Sequence, residues 1–570
     1  MTTTWLALAL TAHLGGIPAV SQYEDSGAMA NLMNRFRADE GALGRLYPIE
    51  ESRLRLGKMD EFYKGWLKAL DEVPFGELSG PGKADWIILR HKLRVRMDEE
   101  SFREAQLAST HDLHPFLDDL SLLIDQRPQR LSPNAEESAE ALTKITQLVK
   151  EARRNAEKSG AGKIKDSDAR RAHATIRRLK DRTKEWFEYS AGYNPMFTWW
   201  VKKPWEDFES AVNSYMEFIQ KNLMGDTSST AIPGDPIGDA ALRKELEHEM
   251  ISYSPEELFE IAKKEVVWCD RELKKYAKEL GYADWREALE YVKTKHVEPG
   301  KQPEMVRELA EEAIEYLEKN DLITIPDLAK DVWRMTMMSP ERQLVSPFFL
   351  GGESIIVSFP TDAMTHEQKL MSMRANNIHF SRAVTHHELI PGHHLQFFMS
   401  ERFNTHRSGI TNTPFWTEGW ALYWEFLLYK RGFPATPEDR IGMLFWRKHR
   451  AARIQFSLGF HLGKMTTQEC VDLLVNEVGH ERSTAEGEVR RSFGGTYPPL
   501  YQAAYMLGAF QMWEIRRELV DTGKMKEKDF HDAVIRMGNM PWVMVRAILS
   551  GGKIEKDFDW KWEFYQGHAE

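Results

Sequence analysis

The chain has 570 residues, of which 42% are hydrophobic and 29% are charged, and 18 of them are tryptophans. This composition supplies a large apolar core and excludes an intrinsically disordered protein. A formal net charge of −11 is mild for this length, so neither nucleic acid nor an anionic membrane is expected as the main partner.

The N-terminus carries an apolar run, Trp5 to Leu14, followed by the small-x-small sequence Ala19-Val20-Ser21. This order is typical of a secretory signal peptide, although no Lys or Arg precedes the run and His13 interrupts it. We predict a signal peptide over residues 1–21 and export to the periplasm or the medium in preference to a cytoplasmic location. The alternative is an ordinary buried first helix. No later stretch has the ~20 apolar residues that a transmembrane helix needs.

Residues 22–235 are predicted to form an N-terminal helical subdomain. Apolar residues recur there three and four positions apart, which is the spacing of amphipathic helices. Ser132-Pro133-Asn134 indicates one helix start, with Ser132 as the cap and Pro133 in the first turn. The turn-rich sequence from Met224 to Asp239 predicts a loop and marks the boundary of this subdomain.

Residues 236–570 are predicted to form a second helical subdomain that joins the first in one compact body. One of its helices begins at the signal Ser254-Pro255. Strand signal is confined to "ESIIVSFP", Glu353 to Pro360, which is apolar, β-branched and ended by proline. The predicted fold is therefore mainly all-α, with one short β-hairpin or edge strand. An edge strand at this place would pair with an extended peptide substrate.

The sequence "THHELIPGHHLQ", Thr385 to Gln396, lies in the densest histidine cluster of the chain. Seven of the 19 histidines fall between His366 and His406, in a predicted helix that starts at a capping box of Thr365 and Gln368. The zinc motif HExxH sets two histidines one helical turn apart, with a glutamate beside the metal-bound water. Here the next histidines follow His387 by six and seven residues.

Six residues turn an unbroken helix by roughly 240°, so a continuous helix would point the second histidine away from the metal. Pro391 cannot donate the backbone hydrogen bond that continues a helix, and Gly392 adds backbone freedom. We therefore predict that the helix opens at Pro391-Gly392 and that this opening returns a histidine to the metal.

A third ligand is expected on a neighbouring helix. The sequence "NTPFWTEGWALYWEFLLYKRG" predicts one, capped by Thr413 and ended by Gly432. Glu418 and Glu425 are seven residues apart and so share a face of this helix. A carboxylate on such an aromatic helix is costly unless it is paired or bound to a metal. Glu418 is the predicted ligand, with a solvent-facing or salt-bridged Glu418 as the alternative, and Glu425 is either an outer partner of the site or part of an ion pair.

The segments "HHELIPGHHLQ" and "TEGWALYWE" resemble a mainly bacterial family with the signatures HExxPGHH and EGWAxYxE, which is regarded as a family of metallopeptidases. More distantly they are similar to gluzincin peptidases of the angiotensin-converting enzyme type. The resemblance implies that His387, His393 and Glu418 bind one Zn²⁺ and that Glu388 is the general base. It leaves His394 as an alternative ligand in place of His393. It also implies a helical body with a deep channel or cleft.

Downstream segments match the family less closely, with Ser457 where an Asp is expected and Tyr501 in the usual position of a Gln. Amide hydrolysis needs a donor to the oxyanion besides the metal, and gluzincins supply one from a distal helix. Tyr505 is the candidate, with a plain core tyrosine as the alternative. Two further candidates for binding substrate or supporting the site are His461 and Arg491.

These observations predict a zinc metallopeptidase that cleaves short unfolded peptides, with peptide substrate as its partner and its oligomeric state open. One alternative is a helical binding protein without catalysis. Another is a carboxylate-bridged dimetal oxidase, suggested by the Glu-x-x-His spacing of Glu477 and His480. No convincing second pair accompanies it, and Gly479 indicates a helix end there.

Overall fold

The computed structural model describes residues 27–569, apart from 126, 127, 129, 160, 229, 344–347, 434 and 496. The predicted signal peptide, residues 1–21, lies outside the described residues. Among the helices of the described part, none combines the length and the apolar character that crossing a membrane requires.

Helices make up most of the described chain, so the prediction of a mainly all-α fold is confirmed. The first helices in chain order are α1 (Gly27–Leu46), α2 (Arg53–Asp71), α3 (Gly80–Ser109), α4 (Leu117–Ile124), α5 (Ala135–Ser159), α6 (Asp166–Ser190) and α7 (Pro195–Asn222). After the predicted loop come α8 (Asp239–His248), α9 (Pro255–Glu279), α10 (Trp285–Lys293), α11 (Gln302–Lys319) and α12 (Asp327–Val332). The strands β1 (Arg334–Met337) and β2 (Ser354–Val357) flank α13 (Pro340–Gln343).

The remaining helices carry the histidine cluster and the segments that follow it. They are α14 (His366–Ala375), α15 (Ile378–Glu388), α16 (His393–Ser400), α17 (Pro414–Lys430), α18 (Pro437–His461), α19 (Thr467–Leu473), α20 (Arg482–Phe493), α21 (Tyr501–Arg516), α22 (Glu527–Arg536) and α23 (Trp542–Leu549). The single helix that the sequence predicts across the histidine cluster is therefore three helices, α14 to α16.

The chain divides into two compact units. The hairpin unit comprises Asn31–Gly76 and Leu89–Ala231, and the site unit comprises residues 27–30, Glu77–Ile88 and 232–569. The division after residue 231 falls within the loop that the sequence predicts between Met224 and Asp239. The return of Glu77–Ile88 to the site unit has no counterpart in the sequence-based domain prediction. A single compact body with a deep channel stays a prediction.

The core of the hairpin unit is built where α5, α6 and α7 pack together. On α7 the buried residues follow the helical period, for example Phe197, Val201, Phe208 and Val212. The start of α5 corrects the sequence prediction, because Asn134 and not Ser132 is the cap. The Oδ1 atom of Asn134 accepts hydrogen bonds from the backbone N–H groups of residues 136 and 137.

The site unit is organised around α18, whose residues are almost all buried. Helices α9, α15 and α21 pack against it. The predicted helix starts are confirmed at Ser254 and Thr365, where both capping boxes form, and at Thr413, whose side chain accepts from the N–H of Phe415. These caps fix where α9, α14 and α17 begin and so fix the register of the residues that α17 presents.

Helices α17 and α21 cross at two glycines. A Cβ atom on Gly508 would lie 2.0 Å from the carbonyl oxygen of Phe415, and one on Gly419 would lie 2.5 Å from the carbonyl carbon of Gly508. No side chain fits between backbones at this distance, so glycine is required on both helices. The close crossing brings Glu418, which precedes Gly419, next to the first turns of α21.

The sequence predicts a short β-hairpin or an edge strand, and the strand forms as β2 in a small two-stranded sheet. β2 pairs with β1 in parallel, with Arg334 opposite Ser354 and Met337 opposite Val357, so the two strands cannot be joined by a tight turn. On the other side of β2, the N–H of Leu350 donates to the carbonyl of Ile356 at 3.1 Å, and the N–H of Ile356 donates to the carbonyl of Leu350 at 2.7 Å. Leu350 thus occupies hydrogen bonds that an extended peptide would need at that edge.

Candidate metal centre

The helix opening predicted at Pro391-Gly392 is confirmed. Helix α15 ends at Glu388, the Ile390–Pro391 peptide bond is cis, and α16 begins at His393. The N–H of Gly392 donates to the carbonyl of His386 at 3.0 Å, and a Cβ atom on Gly392 would lie 1.7 Å from the carbonyl oxygen of His387. Only glycine lets the chain turn back this closely onto α15.

The junction is anchored from α17. The indole N–H of Trp420 donates to the carbonyl of Pro391 at 2.8 Å. With the chain held in this way, the rings of His387 and His393 meet edge to face, with their centroids 4.8 Å apart. The two inserted residues therefore bring the second histidine back beside the first.

His387, His393 and Glu418 form one buried group. Each contributes a ligand atom, and these atoms all lie within 4.8 Å of one another. The Oε2 atom of Glu418 lies 3.5 Å from Nε2 of His387 and 3.2 Å from Nε2 of His393. Within the described part of the chain this is the one such group of three or more possible ligands.

The dimensions of the group suit a small divalent metal ion. Tetrahedral nitrogen and oxygen ligands at the usual zinc distances lie about 3.4 Å apart. The two Nε2–Oε2 separations, 3.5 and 3.2 Å, match that spacing. Two imidazoles and one carboxylate leave a fourth position open, as in catalytic zinc sites.

Outer partners orient both imidazoles. Nδ1 of His387 lies 2.7 Å from Oε1 of Glu425, and Nδ1 of His393 lies 3.3 Å from Oε1 of Gln396. The amide nitrogen of Gln396 in turn donates to the carbonyl of Trp416 at 3.2 Å. A proton on each Nδ1 leaves each Nε2 lone pair directed at the group, which is the arrangement that metal-binding histidines show. Glu425 thus takes the outer-partner place that the sequence suggested as one of two alternatives.

The group attracts positive charge. Burial alone would lower the pKa of His393, but the carboxylate of Glu418 outweighs it and raises the pKa of His393 to about 9. Burial likewise opposes ionisation of Glu418, yet the two histidines hold the pKa of its carboxyl well below the usual range. A cation between these side chains would experience the same field, so the residues present fit a bound metal ion.

Glu388, the predicted base, ends α15 at the edge of the group. It is half-buried, and its charge contributes to the field at His393. Its carboxylate makes no hydrogen bond or ion pair with a described residue, whereas Glu418 and Glu425 are both engaged. A Cβ atom on Gly351 would lie 2.4 Å from Oε2 of Glu388, so the chain before β2 packs directly against this carboxylate.

His394, the alternative ligand, lies elsewhere. Its Nε2 is 2.7 Å from the carbonyl oxygen of Ala329, and burial lowers the pKa of its imidazole. Because His394 is adjacent to His393 at the start of α16, the two side chains leave the helix about 100° apart. His394 as a ligand in place of His393 is therefore incompatible with this geometry.

Two tyrosines of α21 face the group, and the sequence singled out one. The ring of Tyr505, the predicted oxyanion donor, stacks on His387 with centroids 6.0 Å apart. Tyr501 was missed, although its hydroxyl donates a hydrogen bond to Oε1 of Glu418. The signal was available, since residues four apart lie on the same face of a helix. Gln396, three residues after His393, was missed in the same way.

His461 and Arg491 lie apart from the three ligands. His461 packs against Phe493 with centroids 5.7 Å apart, and burial lowers the pKa of its imidazole to about 4. Arg491 is buried beside Glu488 and Tyr497. His480 pairs with His449 at 2.9 Å, and the described residues show no second metal group that a dimetal oxidase would require.

Comparisons with known proteins give a family and a fold. A family model described as "Bacterial protein of unknown function (DUF885)" matches residues 51–549. A solved "putative lipoprotein of unknown function" from Shewanella oneidensis is similar with a TM-score of 0.66 and 16% identity, covering 92% of this chain and 99% of that one. A solved "putative lipoprotein" from Colwellia psychrerythraea is similar with a TM-score of 0.56 and 15% identity, at the same coverage of 92% and 99%. Curated proteins yield no match.

Proposed function

The chain belongs to the bacterial family DUF885, and for this member we propose the activity of a zinc-dependent peptidase that cleaves short, unfolded peptides. The observation that carries the proposal is the combination of three buried ligands with a free carboxylate at the edge of the group. A purely structural metal site has four protein ligands and needs no such carboxylate.

His387, His393 and Glu418 would hold a zinc ion, which would act as a Lewis acid on a substrate carbonyl and lower the pKa of water toward about 7. Glu388 accepts the proton of the attacking water and passes it to the leaving amine. The unengaged state and half-buried position of its carboxylate support this role.

The developing oxyanion needs a hydrogen-bond donor from the protein. Tyr505 stays the predicted donor, and burial raises the pKa of its phenol, so it keeps its proton at neutral pH. Tyr501 is a second candidate because its hydroxyl already lies at the ligand carboxylate of Glu418. If the Tyr501 hydroxyl moved its hydrogen bond from Glu418 to the oxyanion, it would stabilise the transition state and keep its proton.

Export is part of the same proposal. Two similar solved proteins are each described as a "putative lipoprotein", and the apolar run Trp5 to Leu14 precedes a small-x-small sequence. Mass determination of the mature protein tests it: an exported protein cleaved after Ser21 begins at Gln22, whereas an intact N-terminus would contradict export by this route.

The activity is tested by adding zinc-loaded protein to a mixed peptide library and identifying the products by mass spectrometry. We expect cleavage by the wild type, and a loss of at least about 100-fold in Glu388→Gln, which keeps the shape of the side chain but cannot accept the proton. Glu401→Gln, at an exposed position after α16, is the control and is expected to cleave like the wild type. A wild type without cleavage, or equal rates in Glu388→Gln, would refute the peptidase.

A further inference from the structure

Three buried arginines lie behind the tyrosines of α21. Arg450 and Arg453 place their guanidinium carbons 4.7 and 4.3 Å from the ring centroid of Tyr505, and Arg491 lies 5.1 Å from that of Tyr497. Their acidic partners are Glu425 and Glu488. All five charged side chains are at least nine-tenths buried. We call these five residues the arginine cluster.

The arginine cluster holds more positive than negative charge. Three guanidinium groups face two carboxylates, and one of those carboxylates, Glu425, is shared with His387. Most buried charges in proteins are fully paired, because an unpaired one is costly to remove from water. An anionic group of the substrate would offset this excess positive charge.

The guanidinium groups also retain unused hydrogen-bond donors. Among the described residues, Nε of Arg450, Nη1 of Arg453 and Nε of Arg491 are buried without a hydrogen-bond partner. Arg453 uses Nε and Nη2 on Glu488. Arg491 lies 3.2 Å from Glu488 as an ion pair, but the angle at its Nε does not suit a hydrogen bond. Arg491 is thus the least engaged of the three.

The cluster is continuous with the metal ligands. Tyr505 contacts His387 on one side and the guanidinium groups of Arg450 and Arg453 on the other. Arg491 lies against Tyr497, whose ring is 4.2 Å from that of Tyr501, and Tyr501 donates to Glu418. Tyr497 and Tyr501 are half-buried, so they form the accessible side of this arrangement. A substrate group that passes the tyrosines would meet Arg491.

We propose that Arg491 binds a carboxylate of the substrate, with Arg453 supporting the charge from behind. This inference rests on the proposed peptidase activity and adds to it a preference for substrates that carry a carboxylate near the scissile bond. The planar guanidinium group suits this role because two parallel N–H donors match the two oxygens of a carboxylate. The chemistry is shared by a free C-terminus and by an Asp or Glu side chain.

The test compares matched peptides as substrates of the zinc-loaded protein. One blocked peptide is made as the free acid and as the C-terminal amide, and a second, amidated peptide carries Glu or Gln at positions next to the scissile bond. We expect the wild type to favour one carboxylate form over its neutral counterpart by at least 10-fold in kcat/KM. The pair that shows the preference identifies the source of the carboxylate.

Variants assign that preference to Arg491. In Arg491→Met the ratio of kcat/KM between the paired peptides should fall close to one, through a higher KM for the acidic peptide. Arg491→Lys, which keeps the charge but not the bidentate geometry, should retain part of the ratio. Arg482→Met, on the exposed part of the same helix, is the matched control. Circular dichroism and zinc content show whether each variant is folded. If Arg491→Met is not folded, the ratio measured for Arg491→Lys decides whether Arg491 carries the preference.

Three outcomes separate the two proposals. Equal cleavage of acidic and neutral peptides by the wild type overturns the carboxylate site but leaves the peptidase intact. An unchanged preference in both Arg491 variants overturns the assignment to Arg491. Absence of cleavage of any peptide by the wild type overturns both proposals.

Discussion

Each metal-ligand candidate owes its orientation to a second residue. His387 is held by Glu425, His393 by Gln396, and Glu418 by Tyr501. All three supporting contacts are side chain to side chain, in a region where burial makes an unpaired polar atom costly. The ligands therefore keep their geometry through neighbours, of which Glu425 and Gln396 lie within the two sequence motifs and Tyr501 lies outside both.

The first prediction concerns Glu425. Glu425→Gln keeps a hydrogen-bond acceptor for Nδ1 of His387. It removes the negative charge that makes Nε2 of this imidazole a stronger electron-pair donor to the metal. We expect zinc affinity to fall about 10- to 100-fold, as for other outer partners of zinc ligands. Competition titration against a chromophoric chelator measures the affinity. Glu401→Gln is the exposed control, and equal affinities in the wild type and both variants would contradict the role assigned to Glu425.

Residue-scale predictions from the sequence succeeded where the spacing itself carries the chemistry. Glu418 and Glu425 were placed on one helical face by their separation of seven, and the structure puts both beside His387. Tyr501 was missed because its role depends on a tertiary contact with Glu418, whereas Gln396 contacts His393 within one helix and was missed although the spacing of three was available. Spacing restricts which residues share a face, but it does not reveal which helix that face meets.

At the scale of elements, the short connection between α15 and α16 determines the site. Four residues separate Glu388 from His393, and within them the backbone reverses far enough for Gly392 to touch the end of α15. The sequence predicted this opening because proline and glycine have local conformational effects. The parallel pairing of β1 and β2 was not predictable in this way, since it joins residues twenty apart in the sequence.

The second prediction concerns that connection. In Gly392→Ala the added methyl group overlaps the carbonyl of His387, so the chain must move and His393 is displaced. We expect the free energy of unfolding to fall by about 3 kcal/mol, the upper range for overpacking, and zinc affinity to fall with it. Urea unfolding and chelator competition measure the two effects.

Gly552→Ala is the matched control, because a Cβ atom there meets only ordinary contacts at 3.5 Å or more. It should leave both the stability and the affinity close to those of the wild type. If Gly392→Ala binds zinc like the wild type, the close approach of the two helices is not needed for the site.

At the scale of the whole molecule, buried neutral histidines link stability to pH. Burial lowers the pKa of His531 and of His461 to about 4 and that of His480 to about 3. In the unfolded chain these groups titrate near 6.5. Below that pH the unfolded state binds protons that the folded state does not, so stability present above about pH 6.5 is lost as the pH falls toward 4.

The third prediction isolates one of these residues. His531 lies 2.7 Å from the carbonyl of Leu322 and 2.7 Å from the hydroxyl of Tyr423. His531→Gln retains hydrogen-bonding groups but cannot titrate. Between pH 7 and pH 5 the wild type should lose about 2 kcal/mol more unfolding free energy than the variant. Urea unfolding at both pH values measures this, and equal losses would show that His531 is not held neutral.

The sequence predicted the helical class because amphipathic periodicity and caps are local signals that repeat along the chain. It did not predict that Glu77–Ile88 belongs with the site unit, since that depends on contacts such as Arg407 with Asp85, more than 300 positions apart. The ligand set lies between these cases. Its residues come from two local motifs, and Pro391-Gly392 indicated how His387 and His393 meet within the first of them. The contact that brings α17 to this junction, Trp420 with Pro391, is tertiary and was not predicted.

The central claim, a metal centre formed by His387, His393 and Glu418, is tested most directly by the metal content of the purified protein. Mass spectrometry of metals is applied to the wild type, His393→Ala and His394→Ala after loading with zinc and removal of excess. We predict one zinc per chain in the wild type and in His394→Ala, and almost none in His393→Ala. Zinc retained by His393→Ala and lost from His394→Ala, or absent from the wild type, would contradict the account.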